Sequence, residues 1–268
     1  PPKIQPWLAE SYTVSNNELG WTFKLRKGAK FHNGVEVTAE AVKYSMERLL
    51  ALGKGSSALF KPVVDPEGVK VLDRYTVEFN LKEPYAPFLS ILATFCIVNP
   101  KVLEGKPGPW GSEWLSQNDA GSGAYVLEKY SPGGGWTAKR FKDHWMAWQG
   151  NPVDEIEFRT IHETAARVMA LQKGDIAACD GYLPVDQLEK LEKDPNVTVY
   201  DQQSMRVMVI RMHNQRPPFN DVHVRRAISY AFDYDSFINQ ILKGRVVRNY
   251  GPIPNNLWGA PADLKGYT

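Results

Sequence analysis

Between Trp21 and Leu50 the apolar residues change their period from two to about 3.6, and this switch demands a fold that mixes sheet with helix. Trp21-Thr22-Phe23-Lys24-Leu25-Arg26 alternates apolar with polar, so every second side chain falls on one face of a half-buried strand. Asn33-Gly34 follows, and both residues tolerate positive φ, which suits a tight hairpin-type turn. Thr38 then offers an N-cap, and Val42, Met46, Leu49 and Leu50 share one face of a helix that runs to about Leu50.

The same logic carries along the chain. Tyr75, Val77, Phe79 and Leu81 alternate as a second strand ended by Glu83-Pro84. Pro87-Phe88-Leu89 leads into a short apolar helix, and Phe95-Cys96-Ile97-Val98 reads as a brief buried strand closed by Asn99-Pro100. A softer stretch from Gly105 to Asp119 marks a crossing between lobes. Gly121-Ser122-Gly123-Ala124-Tyr125 opens a hairpin from Tyr125 to about Phe141, with Gly133-Gly134-Gly135 at its tip. Beyond it the sequence predicts strands at Glu155–Thr160, Ile176–Cys179, Val197–Tyr200 and Val207–Met212. Helices are expected from Thr164 to Lys173 with Gly174 as the stop, from Pro184 to about Lys193, from a cap at Asp221 to about Phe232, and from Asp233 or Asp235 to Gly244.

Composition narrows the function. The 268 residues allow one large domain or two modest ones. Lys and Arg number 32 against 30 Asp and Glu, and a net charge of +2 does not supply the basic surface of a nucleic-acid binder. Cys96 and Cys179 are the only cysteines, so no disulfide framework is available. No apolar run approaches the length of a transmembrane helix. Eight Trp suit a large core, or a cleft that grips ligands by apolar contact.

Enzyme signatures fail on inspection. His162-Glu163-Thr164-Ala165-Ala166 begins like a zinc-protease helix, but Ala166 stands where the second histidine is required. Gly121-Ser122-Gly123 lacks the pattern of a nucleophile elbow, and Val126 breaks a dinucleotide fingerprint. His32, His144, His213 and His223 are scattered, and each reads as a surface or core residue.

Several segments resemble bacterial ABC-importer extracellular solute-binding proteins of family 5, the peptide and nickel class. They are Gln5–Tyr12 with Trp21–Gly34, then Val37-Thr38-Ala39-Glu40-Ala41-Val42, then Gly121–Tyr125 with Lys139-Arg140-Phe141 and His144-Trp145, and finally Pro218–Ala231. Their order and spacing match the family across nearly the whole chain. The resemblance implies an α/β mixed fold: a lobe of the periplasmic-binding-protein type, with a mixed sheet and flanking helices, plus a smaller α+β accessory subdomain. Residues 1–118 would be mostly the accessory subdomain, 119–250 part of the first ligand-binding lobe, and 251–268 a crossover towards a second lobe. Family members are longer, so the sequence reads as a fragment without the N-terminal piece and the C-terminal lobe.

The same resemblance implies a binding protein rather than an enzyme, without cofactor or metal. It would capture a small solute, a peptide first among the choices, in an interlobe cleft and hand it to the membrane permease of an ABC importer. No nucleic acid and no direct membrane insertion by this segment are implied. The location would be periplasmic or extracellular, with a lipid anchor open to the full-length protein. Carried over by position, the cleft wall would include Phe60, Phe95, Cys96, Cys179, Asp180, Gly181, Tyr182, Ser204, Met205 and Arg206. Each has a plain alternative. Phe95 and Met205 can be core, Cys96 a small buried apolar residue, Asp180 a turn cap, and Arg206 the partner of Asp201, while Phe60 sits in the accessory-subdomain loop that in the family can reach the cleft. Two other functions stay open: a ligand sensor or chaperone-like binder without a transport role, and a hydrolase on a similar scaffold.

Overall fold

Trp21, Phe23 and Leu25 do share one buried face of a strand, and that face organises the first half of the molecule. A computed structural model of the chain describes residues 3–180, 182–261 and 263–266. The described residues divide between Thr160 and Ile161 into two compact units.

In the first unit, β1 (Ala9–Val14), β2 (Gly20–Leu25), β3 (Val64–Asp73) and β4 (Thr76–Leu81) form an antiparallel sheet in the order β1-β2-β4-β3. Register places Phe23 opposite Val77 and Trp21 opposite Phe79, so the alternation of both strands falls on the same face. Helix α1 (Ala39–Leu52) lays Val42, Met46 and Leu50 into this core, with Leu49 packed at its margin. Thr38 stands at the N-cap in extended conformation but makes no side-chain cap bond. Gly53 ends the helix in the left-handed region at φ 63°, its N–H donating to the Leu49 carbonyl. The Asn33-Gly34 turn forms as expected, with Gly34 at φ 84°.

The segment Phe95–Val98 is not a strand. Its Val98 N–H donates to the Ser45 hydroxyl of α1 at 3.0 Å instead of to a neighbouring strand. Asn99, expected to close a strand, caps the short helix Pro100–Leu103 by accepting from the Lys101 N–H at 3.0 Å.

A second antiparallel sheet takes β5 (Tyr125–Ser131), β6 (Gly135–Arg140) and β7 (Glu155–Arg159) in that order. The hairpin with its glycine tip and the third strand match the sequence reading. At Gly135 a Cβ would run into the Phe158 carbonyl oxygen, so the close approach of β6 and β7 needs glycine there.

In the second unit α2 (Thr164–Lys173), α3 (Val185–Leu191) and α4 (Val222–Ala231) appear where expected. Gly174 stops α2 at φ 76°, while the N-cap position falls on Glu163, one residue before Thr164. Asp221 caps α4 by accepting from the His223 N–H at 2.7 Å, and Asp233 caps the next turn through the Ser236 N–H. Ile176–Cys179, Val197–Tyr200 and Val207–Met212 are not strands and have no ladder partner among the described residues. A strand exists only as half of a pair, and periodicity cannot supply the other half. Met208 and Ile210 accordingly stand 76% and 61% exposed. Val168, Leu183 and Leu191 form a small core with Cys179, Leu188, Val197 and Val199 around it.

Candidate functional site

The second unit brings two of the expected wall segments together. Leu183 is buried in the small core, and this anchors the loop that carries Cys179, Asp180 and Tyr182 just before α3. The turn Ser204-Met205-Arg206 meets that loop, and the Arg206 guanidinium lies over the Tyr182 ring at 4.1 Å from its centroid. Such a pairing holds a cation and an aromatic face in a fixed relation while leaving both open to solvent. Tyr182 is 58% exposed and Met205 62%.

Hydrogen bonds set the loop geometry. Asp180 Oδ1 accepts from Arg167 Nη1 of α2 at 3.0 Å and from the Tyr182 N–H at 3.2 Å, so this carboxylate caps a turn and neutralises a cation at once. Ser204 Oγ accepts the Arg206 N–H at 3.2 Å, and the Ser204 carbonyl accepts from Asn256 Nδ2 at 3.4 Å. Arg206 pairs with the tyrosine ring; Asp201 is instead engaged by Arg245 at 3.3 Å. Burial pushes the Cys179 thiol up, the Arg167 charge opposes this, and Asp180 adds to it. A thiol held protonated is a poor nucleophile. Gly181 lies outside the described residues.

The remaining expected residues sit in the first unit. Phe60 is fully buried and belongs to the core, its ring 5.9 Å from that of Phe95. Phe95 is half-buried, and Cys96 is an exposed free thiol. Phe95 also lines an apolar groove of about 660 Å³ with Tyr12, Leu92, Trp7 and Trp145. Trp7 and Trp145 meet edge to face at 5.2 Å, and Arg26 covers the Trp145 ring at 4.7 Å. Of the residues lining this groove the sequence pointed only to Phe95, although the abundance of Trp was a further signal. Among the described residues no group of three or more His, Cys, Asp or Glu side chains is placed to hold a metal ion. Among the described residues no helix is long and apolar enough to cross a membrane.

Residues 3–268 match the family model of bacterial extracellular solute-binding proteins, family 5 Middle. The chain belongs to this family. The family 5 chain is 38% identical to the probable D,D-dipeptide-binding periplasmic protein DdpA of Escherichia coli strain K12, over 97% of its own length and 50% of the relative's. It is 29% identical to heme-binding protein A of Haemophilus influenzae, over 98% of its length and 51% of that protein. Among solved structures, the periplasmic binding protein DppA of Helicobacter pylori, in complex with the peptide STSA, superposes with a TM-score of 0.82 at 25% identity. That match covers 99% of this chain and 55% of the other. The family 5 chain thus spans about half the length of the relatives it matches. All of these relatives are named for binding, none for catalysis.

Proposed function

We propose that this chain is part of the solute-binding component of an ABC import system. It contributes one wall of an interlobe cleft that captures a small solute, a peptide, for delivery to the membrane permease. The observation that carries this reading is the meeting of Tyr182 and Arg206, an exposed aromatic face and an exposed cation brought from separate loops to one place. An apolar surface beside a few placed polar groups is the usual make-up of a small-solute site. Asp180, Ser204 and Met205 complete the wall, with Cys179 behind it. The D,D-dipeptide relative and the peptide-bound solved structure support a peptide as the solute.

Closure of a second lobe over the bound solute would stabilise the form that the permease recognises. In the same proposal residues 1–118 are mostly an accessory subdomain, 119–250 belong to the first lobe, and 251–268 cross towards the second. Confinement of the four-stranded sheet and α1 to residues 9–81 supports the first of these assignments. The protein would act in the periplasm or outside the cell, as the periplasmic relative does.

Native mass spectrometry of the gently purified full-length protein tests the reading. An added mass that fragments as a peptide, and whose occupancy falls on Arg206→Ala, is the expected result. Retention of the same adduct at undiminished occupancy by both Arg206→Ala and Tyr182→Ala overturns the assignment of this wall.

A further inference from the structure

By sequence His32 is one of several scattered histidines, and the structure gives it an unusual setting. Its side chain is 9% exposed and stands edge-on to Phe141, with ring centroids 5.0 Å apart. Nδ1 lies 2.8 Å from Asp119 Oδ2, and Nε2 lies 2.9 Å from the Gly123 carbonyl oxygen. A carbonyl oxygen can only accept. The Asp119 carboxyl is committed to accepting as well, with Oδ1 taking the Gly121 N–H at 2.6 Å and Oδ2 the Leu127 N–H at 3.0 Å.

Acceptors on both sides require a hydrogen on both ring nitrogens, and only the imidazolium carries two. In either neutral tautomer one nitrogen lone pair would face an oxygen at hydrogen-bond distance. Neighbouring bonds knit the same two segments together. The His32 N–H donates to the Gly121 carbonyl at 3.0 Å, the Asn99 N–H to the Ala120 carbonyl at 2.8 Å, and Asn99 Nδ2 to Asn33 Oδ1 at 3.0 Å.

We propose that His32 and Asp119 form a proton-operated clasp that holds the Asp119–Ala124 segment against the Phe31–Gly34 turn while His32 is imidazolium and loosens when its proton leaves. The segment matters because Ser122, Gly123 and Ala124 line the apolar groove beside Trp7 and Trp145. Proton loss removes one of the two ring bonds and frees that part of the groove wall.

Electrostatics agree with the geometry. Burial alone would push His32 below 6.5, but the bonds to Asp119 and to the Gly123 carbonyl, with the Asp119 charge, outweigh it and raise the ring's pKa. Burial alone would push Asp119 up; the His32 bond, the Leu127 and Gly121 N–H groups and the His32 charge hold it below 3.8. The segment that presents Phe141 to the ring also carries Lys142, Asp143 and His144, and Asp143 is paired with Lys30 at 3.7 Å. Because the His32 pKa is raised on folding, its contribution is complete below the unfolded value of about 6.5 and is lost as pH rises through the folded pKa. Because the Asp119 pKa is lowered, its contribution is present above about 3.9 and is lost as pH falls through the folded pKa. The clasp is fully closed between these two values.

The test is a pH titration of the histidine rings by long-range ¹H–¹⁵N correlation on the intact chain, with His32 assigned through its backbone. Both His32 nitrogens protonated at about pH 6, with a midpoint above about 6.5, are the expected result. Thermal unfolding of the native protein should lose stability from about pH 6 to about pH 8.5 more steeply than that of Asp119→Asn. A neutral His32 ring at about pH 6, or a midpoint at or below about 6.5, overturns the proposal. The same holds if Asp119→Asn keeps the native slope. Should that variant fail to fold, the titration of the native protein decides alone.

Discussion

The Ser45 hydroxyl donates to the Ala41 carbonyl at 2.6 Å and accepts the Val98 N–H at 3.0 Å, joining α1 to a segment 53 residues further along. This one side chain takes the place of a ladder partner for Phe95–Val98. Replacing Ser45 with Ala leaves the Val98 donor unpaired beside the core. Ser45→Ala should therefore cost about 1–3 kcal/mol in urea unfolding. A loss within about 0.5 kcal/mol, the range of ordinary surface substitutions, would show that water satisfies Val98 instead.

Phe60 lies fully buried in one core cluster with Val63, Val64, Phe88 and Ile91. Phe60→Ala should destabilise by about 3–5 kcal/mol through transfer and cavity effects. Solute affinity of the folded fraction, measured by isothermal titration on the full-length protein, should stay unchanged. A selective loss of affinity with stability intact would place Phe60 back in the site.

Gly135 sits at φ 137° with the Phe158 carbonyl where a Cβ would go. Gly135→Ala must shift β6 away from β7, at a cost of about 2 kcal/mol or more, judging from strained backbone positions of this kind. Chemical denaturation of the variant checks the magnitude, and an unchanged midpoint would contradict the close approach.

Cys96 is exposed, whereas burial holds the half-buried Cys179 thiol above its ordinary pKa. Under mildly alkaline alkylation Cys96 should be labelled first and Cys179 several-fold more slowly, since the thiolate is the reacting form. Peptide mapping by mass spectrometry reads the order directly. Faster labelling of Cys179 would mean that the loop around it opens readily.

Arg206 over Tyr182 carries the functional proposal. Arg206→Ala in the full-length protein should weaken solute binding about tenfold, equivalent to about 1.4 kcal/mol. Tyr182→Leu should act in the same direction, because it removes the face that orients the guanidinium. Equal affinity in both variants, by isothermal titration, would move the solute to another wall.

Elements whose partners are close in the chain were legible from sequence. The alternation at Trp21–Leu25, the Asn33-Gly34 turn, the glycine-tipped hairpin and the Asp221 cap all rest on local rules of period and backbone conformation. Each reappears in the structure. The family, too, could be recognised from short segments in order, because those segments build the scaffold.

Tertiary structure alone decided the rest. Whether Phe95–Val98 or Val207–Met212 becomes a strand depends on a neighbour that no local pattern names. Phe60, expected at a cleft wall, is 0% exposed, which only the folded chain could show. Distance in sequence likewise hid the contact of Tyr182 with Arg206, and that of His32 with Asp119, the latter pair 87 residues apart. The sequence by itself determined local geometry, since period, turn and cap act within a few residues. Contacts between distant residues required the folded chain, because burial and charge pairing arise only where the fold brings them together.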